Sequence, residues 1–220
     1  NFAGAKVAII YRNDDAYSQG IRDAFVKEAG DKGLSIVYQG TFTLDTSSDF
    51  SVQLAAAQTA GADLVFLPIY YQPASVIFAQ AKAMGYAPTF FGVDGMDGIL
   101  DMPGFDTTLA EGLVLMTPFC ATVESSKSFV DAYVAAYGTT PNQFAADAYD
   151  AVYVVKAAVE AAGGSTSGAE LAAVMTSLTV EGVTGTMTWN ADGNTNKAAS
   201  AILYKNGVGT LFGEDSGAAE

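Results

Sequence analysis

The feature that most constrains the fold is the alternation of short apolar runs with segments of helical spacing. Ile21, Phe25 and Ala29, for example, lie four residues apart and share one face of a helix between the first two runs. The alternation predicts βαβ units in a mostly parallel, doubly wound sheet, and the third run is so apolar that helices should cover both faces. We therefore predict an α/β fold with three αβα layers, whose strands are the runs 6–11, 34–42, 63–70, 89–95 and 111–119.

A different pattern begins after the fifth run. Apolar periodicity predicts helices at about 126–137, 144–162 and 168–178. Two further strands, 184–189 and 198–207, flank the turn sequence NADGN, and this arrangement predicts an antiparallel β-hairpin. The predicted fold is thus a doubly wound sheet followed by a C-terminal helical segment and a β-hairpin.

Composition excludes several classes of function. Lys and Arg number 10 against 24 Asp and Glu, a formal net charge of −14, and no basic cluster could neutralise phosphates, so nucleic acid is not an expected partner. The chain has no histidine and a single cysteine, Cys120. We therefore expect no internal disulfide, no metal or cofactor site of the usual zinc or haem types, and no Ser-His-Asp triad. No apolar run approaches the ~20 residues that a membrane-spanning helix needs.

Functional residues are expected just after the strands, because ligands of open α/β sheets bind at the carboxyl ends of the strands. Tyr17 follows the first strand, Tyr70 ends the third and Asp94 ends the fourth. The same three places also hold Asp14, Asp15, Tyr71, Gln72 and Asp97. Tyrosines and carboxylates indicate a small ligand with a positively charged amine, held by apolar contact and cation–π attraction.

Most of these residues also have a purely structural interpretation. Asp14 and Asp15 precede a helix, where carboxylates cap free N–H groups, and capping is the role we expect of both. Asp94 lies between glycines in GVDGMDG, as a turn residue would. Side chains alternate along a strand, so one of Tyr70 and Tyr71, taken to be Tyr71, should point into the core. The convergence of three strand ends, rather than any single residue, favours a binding site.

Other kinds of site fit these positions less well. A receiver domain needs a phosphoacceptor Asp at the end of the third strand, where Pro68-Ile69-Tyr70 stands. Neither GxGxxG nor GxxxxGK[ST] occurs, so a nucleotide has no glycine cradle. The segment 190–201 starts with the spacing of a calcium loop but lacks its glycine and its final acid. Asp94 and Asp97 have no neighbouring nucleophile that would indicate a catalytic carboxylate pair.

Five segments resemble, in order, blocks of the type I periplasmic binding proteins, specifically the branched-chain amino acid (Leu/Ile/Val) receptors of ABC importers. The segments are KVAIIYRNDDAYSQGIRDAFVKEAGDKGLSIV, DLVFLPIYYQPASVIFAQAKAMGY, FFGVDGMDGILD, AEGLVLMTPF and TGTMTWNADGN. The resemblance covers nearly the whole chain. It implies a bilobal, hinge-closing receptor that delivers a small solute to a membrane permease and is not an enzyme.

The resemblance also implies which residues bind the ligand, an amino acid or related amine. The family places an aromatic residue after the first strand of the second lobe, another after the third and an acid after the fourth. These positions are Tyr17, Tyr70 and Asp94, and family members often have Glu where this chain has the shorter Asp94. The implied location is extracytoplasmic, as a periplasmic protein or a cell-surface lipoprotein.

By the same resemblance, the chain begins near the crossover into the second lobe, and most of the first lobe is missing. Residues 1–122 would form the second lobe, 123–180 a helical segment belonging partly to the first lobe, and 181–220 a hairpin returning to the second lobe with the C-terminal tail. The apolar face of the helix 144–162 would then lack its usual partner. We expect the chain either to self-associate through this face or to hold these helices loosely.

Two functions of other classes stay open at this point. A sensory domain of a signalling receptor can have the same fold, and a neighbouring permease gene or a helix-turn-helix in the parent chain would distinguish transport from sensing. A small flavodoxin-like enzyme is the other alternative, and turnover of a candidate ligand would reveal it.

Overall fold

The computed structural model describes residues 2–213, which form two compact units. The first comprises the chain up to Met116 together with Ala201–Phe212, and the second comprises Thr117–Ser200. Most of the tail predicted from the sequence, residues 214–220, lies outside the described residues. The resemblance implies two lobes. The assignment of residues 1–122, 123–180 and 181–220 to these lobes stays a prediction.

Parallel strands dominate the sheet of the first unit, as predicted. The strands of the described residues are β1 (Lys6–Arg12), β2 (Ser35–Phe42), β3 (Leu64–Leu67), β4 (Thr89–Val93), β5 (Val114–Thr117), β6 (Thr179–Gly182), β7 (Gly185–Thr188), β8 (Ser200–Lys205) and β9 (Val208–Leu211). One sheet has the order β2-β1-β3-β4-β5-β8-β9, and all pairings among its first five strands are parallel. The strands β6 and β7 form a separate antiparallel pair.

Helices cover both faces of the large sheet, which confirms the three-layer α/β fold. The α-helices are α1 (Ala16–Ala29), α2 (Ser51–Thr59), α3 (Tyr71–Ala83), α4 (Lys127–Tyr137), α5 (Gln143–Ala161) and α6 (Gly168–Met175). On one face Phe25 of α1 stacks on Phe66 of β3, with ring centroids 4.2 Å apart. On the other face Phe78 of α3 contacts Phe90 of β4 at 4.6 Å. Successive residues of a strand point to opposite faces, so helices cover both sides of β3 and β4.

The strand order reverses at β1, and this reversal determines where a ligand can enter. From β1 the chain passes to β2 on one side and then to β3 on the other, so the connections leave the β1–β3 pair in opposite directions. In doubly wound sheets the crevice beyond the carboxyl ends of two such strands is the usual ligand site. The segments that follow β1 and β3 contain Tyr17 and Tyr70.

The strand pairing predicted across the NADGN turn is wrong. Its two strands exist, but β7 pairs with β6 and β8 pairs with β9. At NADGN itself a single antiparallel bridge joins Trp189 and Thr195. The turn of the β8–β9 hairpin is Asn206-Gly207, with φ of 53° and 75°. Two adjacent residues with positive φ form the type I′ turn that Asn-Gly favours, and the predicted strand 198–207 ran through it.

The second unit is organised by the long helix α5. Asp150, only 2% exposed, lies near its middle and accepts hydrogen bonds from the turn between β6 and β7. The donors are Val183 N at 2.8 Å, Thr184 N at 2.8 Å and Thr184 Oγ1 at 2.5 Å. A Cβ on Gly182 would come within 2.4 Å of the Asp150 carboxylate, so this close approach requires glycine. Among the described residues, no helix combines the length and apolarity needed to cross a membrane.

Candidate functional site

The structure brings the three predicted site residues together in the first unit. The hydroxyl of Tyr17 donates a hydrogen bond to Asp94 Oδ1 at 2.5 Å. The rings of Tyr17 and Tyr70 lie against each other, with centroids 5.0 Å apart and planes inclined by 31°. Three segments distant in sequence, those after β1, β3 and β4, thus meet at one edge of the sheet.

The start of α1 positions Tyr17. Asp15 is the N-cap residue of this helix and accepts a hydrogen bond from Ser18 N at 3.1 Å, which confirms its predicted role. The Ser18 side chain is fully buried and accepts from the backbone N–H of Arg12 at 2.8 Å, so the first turn of α1 is tied to the end of β1. From this turn the Tyr17 ring packs on the core residues of the sheet.

The capping role predicted for Asp14 is wrong. Its carboxylate pairs with Arg12 Nε at 2.6 Å and accepts from Leu44 N at 3.2 Å. The hydrogen bond from Arg12 is the main cause that lowers the pKa of Asp14, and the bond from the Leu44 N–H adds to it. Asp14 therefore links the end of β1 to the loop after β2.

The turn after β4 holds Asp94 against Tyr17. Asp94–Met96 is a single 3-10 turn, so the prediction that Asp94 is a turn residue holds alongside its contact with Tyr17. Gly95 N donates to the Tyr17 hydroxyl at 2.9 Å. A Cβ on Gly95 would lie 2.7 Å from that hydroxyl and 3.1 Å from the carbonyl oxygen of Ile69, so only glycine permits this approach.

Replacing Gly95 with alanine should therefore displace the Tyr17 ring. We expect a loss of about 1–3 kcal/mol in the free energy of unfolding, the usual cost of overpacking a close contact. Urea denaturation would measure it. The matched control is Gly20→Ala in α1, where an added Cβ meets nothing within 4 Å. That change should stabilise the chain by about 0.5–1 kcal/mol, and equal effects of the two substitutions would contradict the close approach at Gly95.

The environment keeps Tyr17 protonated. Burial raises the pKa of its phenol far above the usual range, and the hydrogen bond to the Asp94 carboxylate raises it further. The hydroxyl is therefore a donor throughout the physiological pH range. It fixes the orientation of the Asp94 carboxylate at the edge of the sheet.

Tyr70 and Tyr71 do not follow the alternation of a strand. β3 ends at Leu67, Tyr70 is the N-cap residue of α3 and Tyr71 is the first residue of that helix. Tyr70 is 38% exposed and Tyr71 is half-buried. The argument that placed Tyr71 in the core by strand alternation is therefore wrong, because neither residue lies in a strand.

Tyr70 also lines a cavity of about 490 Å³ at the carboxyl ends of β1, β2 and β3. The lining is mainly apolar, with a polar part from three charged or amide side chains and three serines. The lining residues are Arg12, Asp15, Ser18, Phe42, Leu44, Ser47, Ser48, Ile69, Tyr70, Gln72, Pro73 and Val76. This volume lies within the range of small-molecule sites.

The sequence analysis missed Arg12 and Leu44 as residues of this region. Arg12 is the last residue of β1, so its place at a strand end was a signal that could have been used. Leu44 opens a 3-10 turn after β2, and no sequence pattern indicates that its side chain faces the cavity. Among the described residues, no three His, Cys, Asp or Glu side chains are grouped so as to hold a metal ion.

The fold and the site together define a class of protein. In this class a doubly wound α/β unit brings two tyrosines and a carboxylate together at the topological switch point of its sheet. The family model described as "Periplasmic binding protein" matches residues 1–206. The chain therefore belongs to the periplasmic binding protein family.

Several relatives of the chain are branched-chain amino acid binding proteins. The chain is 26% identical over 214 residues to the Leu/Ile/Val-binding protein homolog 3 of Brucella melitensis, a match over 97% of this chain and 57% of the relative. The crystal structure of the LivJ substrate-binding protein of Streptococcus pneumoniae in complex with isoleucine has a TM-score of 0.79 and 31% identity, covering 94% of this chain and 59% of that one. The leucine-binding protein LivK of Thermotoga maritima has a TM-score of 0.81 and 26% identity, with the same coverage.

The chain thus spans somewhat more than half the length of these relatives. The relatives are binding proteins rather than enzymes.

Proposed function

We propose that the chain is the ligand-binding part of an extracytoplasmic substrate-binding protein of an ABC importer. Its ligand would be an amino acid of the branched-chain type or a similar small amine. The single observation that carries the proposal is the meeting of Tyr17, Tyr70 and Asp94 at the switch point of the sheet. The relatives named above, several of which bind leucine, isoleucine or valine, support the same function.

In this proposal each of the three residues has a separate role. The Asp94 carboxylate accepts a hydrogen bond from the ligand's ammonium group, and a charge-assisted bond of this kind is short and strong. The hydroxyl of Tyr17 holds that carboxylate in place. The paired rings of Tyr17 and Tyr70 offer apolar contact to the ligand and a π face to its cation. None of these groups forms or breaks a covalent bond, in keeping with binding rather than catalysis.

Further parts of the proposal concern partners. The first lobe of the complete receptor would close over the ligand, and an ABC permease in the membrane would receive it. In the absence of such a lobe, the exposed apolar face of α5 would associate with a second copy of the chain. Membership of the periplasmic binding protein family supports an extracytoplasmic location for the protein.

Replacing Asp94 with asparagine in the full-length protein tests the amine contact. The change keeps the shape of the side chain but removes its charge, so we expect leucine to bind about 10- to 150-fold more weakly, a loss of about 1.5–3 kcal/mol. Titration calorimetry measures the affinity, and thermal unfolding checks that the variant is folded.

The control is Asp101→Asn, which makes the same change in charge at an exposed position. Its affinity should stay within about twofold of the parent, since exposed charges contribute little. A folded Asp94→Asn protein with unchanged affinity would leave Asp94 as a turn residue alone and remove the basis of the proposal.

A further inference from the structure

The segment GVDGMDG after β4 contains a second carboxyl group, that of Asp97, which the proposed function does not use. Asp97 directly follows the 3-10 turn Asp94–Met96, and its N–H donates a hydrogen bond to the carbonyl oxygen of Asp94 at 2.9 Å. Asp97 is only 9% exposed. A buried polar side chain needs hydrogen-bond partners, so the partners of Asp97 determine how this turn is held.

The side chain of Asp97 is hydrogen-bonded to a residue near the C-terminus of the chain. Its Oδ1 accepts from the hydroxyl of Tyr204 at 2.9 Å and from the N–H of Gly98 at 3.0 Å. Tyr204 lies on β8, follows Asp97 by 107 residues and is 6% exposed. Loss of a buried hydrogen bond leaves a polar group unsatisfied and is costly. The bond therefore ties the turn that carries Asp94 to β8.

The backbone and the ring of Tyr204 are themselves fixed by their neighbours. Its N–H donates to the carbonyl oxygen of Leu113, and its carbonyl oxygen accepts from the N–H of Gly112, each at 2.9 Å. Tyr204 pairs with Gly209 across the β8–β9 hairpin. A Cβ on Gly209 would lie 2.7 Å from Cε1 of the Tyr204 ring, so the ring packs directly on the glycine backbone. This packing holds the Tyr204 hydroxyl at Asp97.

We infer that Tyr204 is a positioning residue for ligand binding, and that it acts through Asp97 on the turn that presents Asp94 to the ligand. The inference rests on the proposed function, because Asp94 supplies the amine contact. Tyr17 fixes the Asp94 carboxylate directly, whereas Tyr204 fixes the backbone turn from which that side chain projects. A contact that is already in place before binding costs less to order when the ligand arrives. The strand β8 thus contributes to affinity without contacting the ligand.

Replacing Tyr204 with phenylalanine in the full-length protein removes the hydroxyl and keeps the ring. We expect leucine to bind about 3- to 30-fold more weakly, as is usual for a change within one hydrogen-bond network. Titration calorimetry measures the affinity. The matched control is Tyr86→Phe, which removes another buried hydroxyl that donates to the carbonyl oxygen of Ala62 at 2.8 Å. Tyr86 precedes β4 whereas Asp94 follows it, so this change should lower stability and leave the affinity within about twofold of the parent.

A double-mutant cycle with Asp94→Asn tests whether Tyr204 acts through Asp94. Tyr204→Phe should weaken leucine binding in the parent but by at most about twofold in the Asp94→Asn protein, because the contact that it positions is already lost there. A purely structural role would weaken binding by the same factor in both proteins. Gly209→Ala displaces the Tyr204 ring without removing its hydroxyl and should give the same pattern, so the test does not depend on one variant. Thermal unfolding checks that each variant is folded.

The outcomes distinguish failure of the inference from failure of the proposed function. If Asp94→Asn weakens leucine binding but Tyr204→Phe and Gly209→Ala do not, the inference is overturned and the proposed function stands. The same holds if the two variants weaken binding equally with and without Asp94→Asn, or if Tyr86→Phe weakens it as much as Tyr204→Phe. If Asp94→Asn leaves the affinity unchanged, amine recognition fails and the proposed function falls. Any loss in Tyr204→Phe is then structural, which overturns the inference as well.

Discussion

Replacing Asp150 with alanine is expected to destabilise the second unit by about 2–5 kcal/mol, because each buried donor that loses its acceptor costs about 1–3 kcal/mol. The carboxylate is 2% exposed and accepts three hydrogen bonds from Val183 and Thr184. Without it the buried N–H and hydroxyl of Thr184 lose their acceptor, and the β6–β7 turn loses its attachment to α5. Chemical denaturation followed by circular dichroism measures the change in unfolding free energy.

Another aspartate of the same helix supplies the control for Asp150→Ala. Asp147 lies one turn earlier on α5 and forms an ion pair with Lys197, but its side chain is 37% exposed. Asp147→Ala should cost at most about 1 kcal/mol, as is usual for partly exposed ion pairs. If both substitutions cost the same, the turn between β6 and β7 does not depend on Asp150.

Much of the first unit follows from local sequence rules. The apolar run in β3 reads LVFL with every residue buried, and its composition alone predicted cover on both faces. The convergence of Tyr17, Tyr70 and Asp94 followed from the rule that parallel strands end at one edge of a sheet. Neither result depends on side-chain detail, which is why the sequence was sufficient.

Other features depend on contacts between residues far apart in sequence. The Tyr17–Asp94 hydrogen bond spans 77 residues, and no pattern near either residue indicates it. From the sequence, Asp150 looks like an ordinary polar residue of an amphipathic helix. Its carboxylate nevertheless accepts hydrogen bonds from Val183 and Thr184, which follow it by 33 and 34 residues. The prediction of strand pairing failed for a different reason. NADGN contains Asp192-Gly193 and the next turn is Asn206-Gly207, and both dipeptides favour hairpin turns, so the local sequence does not decide how the flanking strands pair.

The apolar face of α5 leads to the second large effect, which concerns association. Tyr149, Val152, Tyr153 and Val155 are exposed by 43%, 67%, 46% and 56%, and Phe144 at the start of the helix by 41%. Contiguous exposed apolar surface on a protein usually marks an interface or an aggregation site. We therefore expect the 220-residue chain to dimerise in a concentration-dependent way.

Val152→Lys should weaken this dimer by about 3 kcal/mol or more, roughly 100-fold, because a two-fold interface loses the buried valine twice. Sedimentation or light scattering over a range of concentrations measures the association constant. Val208→Lys is the matched control, since it makes the same change at a residue that is 49% exposed on β9. If the face stays uncovered instead, the helices should be loosely held, and hydrogen exchange across residues 144–178 should be fast. A monodisperse monomer with strong amide protection throughout that range would contradict both expectations, because the helices would then be stable without any partner for the face.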